Sequence, residues 1–384
     1  VQPMEEAWPA IRDAKRIVIK IGTKSLLLDD RSFDFKTMAT LIQDIKQMIK
    51  DQGKEVVLVT SGAVSAGMKK LGIEERPRDL VLQQVAAGVG NPLLLNEYVR
   101  MFDDVPVAQV LLTQEDLSNR ISYNHFLDAM ERMLQMGVVP IVNENDVVSI
   151  DELVGTKSGE SMIDYNFSDN DVLSALVAAS INADLLVVMS DVDGLYTKPP
   201  TEDGAEFIPY VDELTDEIKV LGLGGSNLGR GGMVTKLKAA QICMQSGVWM
   251  IITNAKKAEV IDLVASGGKC TIFKPAERLP GKKLWIIFAA NVQGKISLDD
   301  GAVEAIRSGA SLLLPGITSV QGEFHENDVV EIWDSTDLCL GRGMTNYSAQ
   351  EIERFLTLYH QDKKLFRSQN VEEIVHTEKM ALFV

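Results

Sequence analysis

The chain has 384 residues but only three cysteines, Cys243, Cys270 and Cys339, and four histidines, His125, His325, His360 and His376. The cysteines are scattered, form no CxxC and cannot all pair, so neither a zinc ribbon nor a redox motif is encoded. A zinc or iron centre held by protein ligands is not expected, and this cysteine usage suits a reducing cytoplasm. No apolar run approaches the ~18 residues that a membrane span needs, and residues 1–15 do not read as a secretory signal. Positive charge is also short. Lys and Arg number 38 against 55 Asp and Glu, a formal net charge of −17. Non-specific nucleic-acid binding runs on Lys and Arg against phosphate, so that class is disfavoured. If the substrates are themselves anions, the site must be a locally basic spot in an acidic molecule.

What is present is ordinary for a globular protein, with 46% hydrophobic and 24% charged residues. At about 150 residues per domain, the length suggests two or three domains. Residues 16–21, 55–60, 106–112, 138–142, 184–189 and 248–252 are near-continuous runs of Val, Ile and Leu. Strands buried on both faces of a parallel sheet read this way. Between them lie helical patterns: Phe35, Met38, Leu41, Ile45, Met48 and Ile49, then Met233, Leu237, Ala240 and Met244. The alternation predicts an α/β fold, an open, mostly parallel sheet covered by helices on both faces. In such sheets ligands bind beyond the carboxyl ends of the strands.

The pattern changes near residue 275, where a polar stretch carries Pro280-Gly281. Short strands are expected after it at 284–288, 294–297 and 328–333, so residues 1–275 form one domain and 276–384 a smaller β-rich one. Residues 149–168 are polar, rich in Gly and Ser, and read as a long loop, of a length that is usually functional or disordered.

Candidate site residues follow the predicted strands. Lys20 ends the first and is followed by Gly22. It would reach into the crevice above the sheet or snorkel to solvent. Thr60-Ser61-Gly62-Ala63 follows the second, and its small residues offer backbone N–H groups to an anion, or Ser61 caps a helix. Asn143-Glu144-Asn145-Asp146 and Ser168-Asp169-Asn170-Asp171 suit an amino group, lysine orientation or Mg²⁺, or are turns and a helix start. Ser190-Asp191-Val192-Asp193-Gly194-Leu195-Tyr196 resembles a calcium loop only faintly. Tyr196 stands where that loop needs glycine, and calcium is rejected. The glycine-rich segment 222–232 runs into the helix from Met233, with Arg230, Lys236 and Lys238 crowding its start. Cations there oppose the helix dipole by roughly 0.3–1 kcal/mol each, and a bound phosphate would offset that. The segment matches neither GxxxxGK[ST] nor GxGxxG.

Taken in order, Lys20-Ile-Gly-Thr-Lys-Ser, Val59-Thr-Ser-Gly-Ala, Val142-Asn-Glu-Asn-Asp, Asp169-Asn-Asp-Val-Leu-Ser-Ala and Gly231-Gly-Met-Val-Thr-Lys resemble the amino acid kinase family. The tail, with Gly294-Lys-Ile-Ser-Leu-Asp-Asp-Gly-Ala and Leu313-Leu-Pro-Gly-Ile, resembles a PUA domain. The resemblance implies ATP-dependent phosphorylation of the γ-carboxylate of L-glutamate, the first step of proline biosynthesis, with Mg²⁺ carried by ATP. By position it implies that Lys20 and Lys236 contact the transferring phosphoryl group and that Asp171 orients them. Ser61, Asp146 and Asn170 would bind the amino acid. Lys20, Ser190, Asp191, Arg230, Gly231, Gly232, Met233, Val234, Thr235 and Lys236 would hold ATP. It further implies proline as feedback inhibitor, a homo-oligomer and channelling to a downstream reductase. The chain departs from the family's usual Gly-Gln at Gly90-Asn91 and from its usual threonine at Arg230. The alternatives are a relative acting on another small carboxylate, a silent regulatory member, or an RNA-associated protein. The last is disfavoured by the acid excess after residue 282.

Overall fold

The computed structural model describes residues 2–149, 169–221 and 232–383. The predicted loop at 149–168 and the glycine-rich segment 222–232 therefore fall almost wholly outside the described residues. The chain divides into two compact units, Val1–Leu117 with Ile121–Arg278, and Ser118–Arg120 with Leu279–Val384. Among the described residues no helix is long and apolar enough to cross a membrane.

The first unit contains β1 (Arg16–Ile21), β2 (Glu55–Val59), β3 (Val107–Leu112), β4 (Val139–Glu144), β5 (Leu185–Ser190), β6 (Leu195–Tyr196), β7 (Phe207–Ile208), β8 (Tyr210–Val211), β9 (Trp249–Asn254) and β10 (Cys270–Phe273). Eight of these strands form one sheet in the order β3-β4-β2-β1-β5-β9-β10-β8. Every pairing is parallel except β9 with β10. All six residues of β4 and of β5 are buried, and up to the polar ends Asn143-Glu144 and Ser190 they read as apolar runs. Each fully buried Val, Leu or Ile contributes roughly 1.5–3 kcal/mol. The six predicted strands are all present. The two-residue β6, β7 and β8 and the four-residue β10 are too short to leave a periodic signal.

Helices cover the sheet. Phe35–Gln52 is capped by Asp34, whose side chain accepts from Thr37 N, and it ends at Gly53 in a left-handed conformation. The helices Ala63–Leu71 and Leu80–Phe102 cross at Gly67 and Gly90. A Cβ at Gly67 would lie 1.7 Å from the Ala86 carbonyl oxygen, and one at Gly90 would lie 1.7 Å from that of Ala63. The two backbones touch, and only glycine permits it.

The second unit is a five-stranded sheet in the order β12-β11-β13-β14-β15. Its strands are β11 (Val292–Leu298), β12 (Ile317–Gln321), β13 (Val329–Trp333), β14 (Cys339–Met344) and β15 (Met380–Leu382). The strands expected at 294–297 and 328–333 lie within β11 and β13. The strand expected at 284–288 is not one. Gly281–Leu284 is α-helical and Trp285–Ala289 continues as a π-helix. Every residue from Leu284 to Ala290 is buried, and a short apolar run buried all round has no face by which periodicity can tell helix from strand. Arg342 donates from Nη1 to the Ile287 carbonyl at 2.6 Å, one of the carbonyls in this turn.

Candidate active site

The carboxyl ends of β1, β2, β4 and β5 open on a cavity of about 260 Å³. Lys20, Ser61, Asp146, Asn170, Ser190, Asp191 and Lys236 all line it. Residues far apart in sequence meet because the central strands run parallel and so end on the same side.

The centre of the site is Asp171, fully buried in the first turn of the helix Asn170–Ser180. Lys20 Nζ lies 2.7 Å from its Oδ1, and Lys236 Nζ lies 3.0 Å from its Oδ2. Lys20 comes from β1 and Lys236 from the first turn of the helix Met233–Gln245. Burial pushes the Asp171 carboxyl up, but the field and hydrogen bonds of the two ammonium groups outweigh it, and its pKa lies below the ordinary carboxylate range. Asp169 caps the same helix through Asp171 N and stands 4.0 Å from Lys20. Thr235 Oγ1 lies 2.9 Å from Asp171 Oδ2. The helix Met233–Gln245 has Gly232 at its N-cap and no side-chain cap, so its first N–H groups are not taken up by a capping side chain. Gly232, Met233, Val234 and Thr235 begin this helix without lining the cavity, and among the described residues of this stretch only Lys236 does. Arg230 and Gly231 lie outside the described residues.

On the β2 and β4 side a chain of amides fixes orientation. Asn143 Nδ2 donates to Asn91 Oδ1 at 3.1 Å, and Asn170 Nδ2 donates to Asn143 Oδ1 and to Thr60 O, both at 3.0 Å. Asn170 Oδ1 has no hydrogen-bond partner among the described residues, although it is buried. An amide oxygen so held accepts from a ligand's N–H group. Ser61 does not cap a helix. Its hydroxyl donates to Ile21 O at 2.9 Å, and Gly62 is the N-cap of Ala63–Leu71.

On the β5 side, Ser190 Oγ donates to Asp191 Oδ1 at 3.1 Å, and Lys24 Nζ lies 3.1 Å from Asp191 Oδ2. Burial raises the Asp191 carboxyl, the hydrogen bond and charge of Lys24 lower it, and the net effect is downward. Asn254 donates to Asp191 O and to Asp193 Oδ1, while Lys257 and Lys269 both pair with Asp193. This holds the turn after β5 in one geometry.

Four lining or supporting residues carried no assigned role in the sequence reading. Asn143 and Lys24 stood inside recognised motifs. Asn91 was visible only as a departure, and Arg76 gave no signal, because Glu74-Glu75-Arg76-Pro77-Arg78 reads as a solvated charged loop.

Residues 15–254 match the model of the amino acid kinase family, and residues 294–361 match that of the PUA domain. A glutamate 5-kinase of Thermoanaerobacter sp. (strain X514) is 38% identical over 375 residues, spanning 96% of this chain and 97% of that protein. One from Moorella thermoacetica is 39% identical over 379 residues, 97% of each. One from Streptomyces coelicolor is 40% identical over 359 residues, 92% of each.

Proposed function

The chain belongs to the amino acid kinase family, and from that premise we propose that it is a glutamate 5-kinase, transferring the γ-phosphoryl group of ATP to the side-chain carboxylate of L-glutamate. The observation that carries the chemistry is the pair of buried lysines on one buried carboxylate, Lys20 and Lys236 on Asp171. The relatives' names supply the substrate.

The strand order supports a division of the pocket. Asp146 and Ser61 follow β4 and β2, on one side of β1, while Ser190 and Asp191 belong to the end of β5, on the other. Lys20 stands between. Glutamate binds on the β4 and β2 side, its ammonium group on Asp146 and on Asn170 Oδ1. ATP binds on the β5 side, against Ser190, Asp191 and the start of the helix Met233–Gln245. The two substrates then meet over the lysines. Both are anions, so their approach is opposed until positive charge lies between them.

A γ-carboxylate oxygen attacks the γ-phosphorus, the bond from that phosphorus to the β,γ-bridging oxygen breaks, and ADP leaves. The nucleophile is already ionised, so no general base is needed. The enzyme's task is positioning and charge neutralisation. Lys20 and Lys236 sit where charge builds on the transferring group, and Asp171 holds both without moving in the reaction. The magnesium ion that accompanies ATP neutralises its phosphates. We take that ion to come with the nucleotide, as the family resemblance implies.

We further read residues 1–275 as the catalytic domain and 276–384 as the PUA domain and tail. Proline inhibition, a homo-oligomer and hand-over to a reductase go with this activity by family resemblance. The test is ADP release with ATP, Mg²⁺ and a panel of amino acids, with hydroxylamine trapping the acyl phosphate. L-glutamate gives the hydroxamate, and Lys20→Ala or Lys236→Ala lowers turnover on the order of 10²–10³-fold. No glutamate-dependent hydroxamate from the unaltered enzyme overturns the assignment.

A further inference from the structure

The glutamate assignment leaves one charged group of the substrate without a partner. In that reading its γ-carboxylate goes to the lysines and its ammonium group to Asp146 and Asn170, and no cation among the described residues has yet been assigned to the α-carboxylate. Burying an unpaired carboxylate is unfavourable, so a selective site must supply a cation or donors for it.

Among the described residues four cationic ones line the cavity: Lys20, Lys24, Arg76 and Lys236. Lys20 and Lys236 share Asp171, and Lys24 pairs with Asp191. Arg76 alone of the four makes no ion pair among the described residues. In a molecule of net charge −17, an arginine in the mouth of a pocket without a carboxylate partner is poised for an anion from outside.

Its position is built. Gln83, buried in the first turn of the helix Leu80–Phe102, is anchored by Nε2 donating to Pro77 O at 2.7 Å. Its Oε1 then accepts from Arg76 Nε at 3.2 Å. With Nε engaged, the two Nη groups remain as the fork that grips a carboxylate with two parallel hydrogen bonds. The next residue, Gln84, donates to Val147 O at 3.0 Å, tying this helix start to the turn that carries Asp146. Arg76 is thereby held on the amino-acid side of the pocket. The ammonium and the α-carboxylate hang from the same carbon, so their partners must lie side by side.

We propose that Arg76 anchors the α-carboxylate of the amino-acid substrate, with Gln83 as its positioning residue, and so sets specificity for α-amino acids over amines that lack that group. The inference rests on the glutamate reading of the same pocket.

The experiment compares L-glutamate with two analogues in the unaltered enzyme and in Arg76→Gln and Arg76→Lys. 4-Aminobutyrate lacks the α-carboxylate, and the α-amide of L-glutamate replaces it with a neutral group. Both are measured as substrates and as competitive inhibitors. Arg76→Gln is expected to raise the KM for L-glutamate about 10–100-fold, as for loss of a charged hydrogen-bonded pair. The KM for ATP, the kcat and the inhibition constants of both analogues should stay within about twofold. Arg76→Lys, which keeps the charge and loses the fork, should fall between. An unchanged KM for L-glutamate overturns the proposal. So does an equal weakening of L-glutamate and both analogues, since that marks a structural role. If the unaltered enzyme makes no glutamate-dependent hydroxamate, the substrate assignment fails instead, which is a separate outcome.

Discussion

Asp171 is a carboxylate with no exposed surface between two ammonium groups. Such an arrangement is held by mutual compensation rather than by any single pair. Asp171→Asn keeps the shape and removes the charge that both lysines share. Stability without ligand should fall by about 3 kcal/mol. ATP, which brings negative charge to the same lysines, should raise Tm more in the variant than in the unaltered protein. Thermal unfolding with and without ATP measures both, and an equal ATP shift in the two proteins counts against the shared counter-charge. Because the Asp171 pKa is depressed, its stabilising contribution is complete above the ordinary carboxylate range and is lost as pH falls through the depressed value. This trio was legible in the sequence because each member sits at the end of a recognisable element. Arg76 was not, because its role depends on Gln83 and on a tie to Val147, and neither leaves a mark on the local sequence. Asn91 was visible only as an unusual residue, and its bond to Asn143, 52 positions away, needs the fold to bring the two together.

At the scale of elements, the crossing of Ala63–Leu71 with Leu80–Phe102 joins residues proposed for the amino-acid side of the pocket. The first helix begins beside Ser61, and the second carries Gln83 and Asn91. Gly67→Ala would drive a methyl group into the Ala86 carbonyl, and no side chain can move aside to relieve it. The helices must separate, at about 1–3 kcal/mol or more. The expected result is a lower denaturation midpoint together with a raised KM for L-glutamate and a smaller change in the KM for ATP, whose residues lie across β1. Equal loss for both substrates would mean that the crossing does not act on the amino-acid side in particular. The central parallel strands were legible because burial on both faces forces an unbroken apolar composition. The same composition misled at 284–288, where an apolar run buried all round folds as a helix. The short β8 and β10 were missed because their place at this end of the sheet, β8 at its edge and β10 next to it, comes from pairing, not from their own sequence.

For the molecule as a whole, an acid excess makes each buried carboxylate a question of partners. Asp193 is held down to about 2, first by hydrogen bonds from Lys257 and Lys269. Asp44 goes the other way. It lies on the helix Phe35–Gln52 and accepts from Ile261 N at the start of Val260–Ser266. Burial raises its pKa to about 6, with Glu259 and Asp262 adding to the rise. A carboxyl group with a raised folded pKa binds its proton more tightly when folded, so its ionisation costs stability as pH rises from about 4 through about 6. The depressed carboxylates act oppositely and lose their contribution only at more acidic pH. The Asp44 contribution by itself therefore favours the acid side of neutrality. Asp44→Asn keeps an oxygen to accept from Ile261 N and cannot ionise. Its stability should exceed that of the unaltered protein by about 1–2 kcal/mol above pH 7, with the two converging near pH 4. Urea unfolding at a series of pH values tests this. A constant difference across that range would mean that the Asp44 side chain acts through packing or capping rather than through its charge.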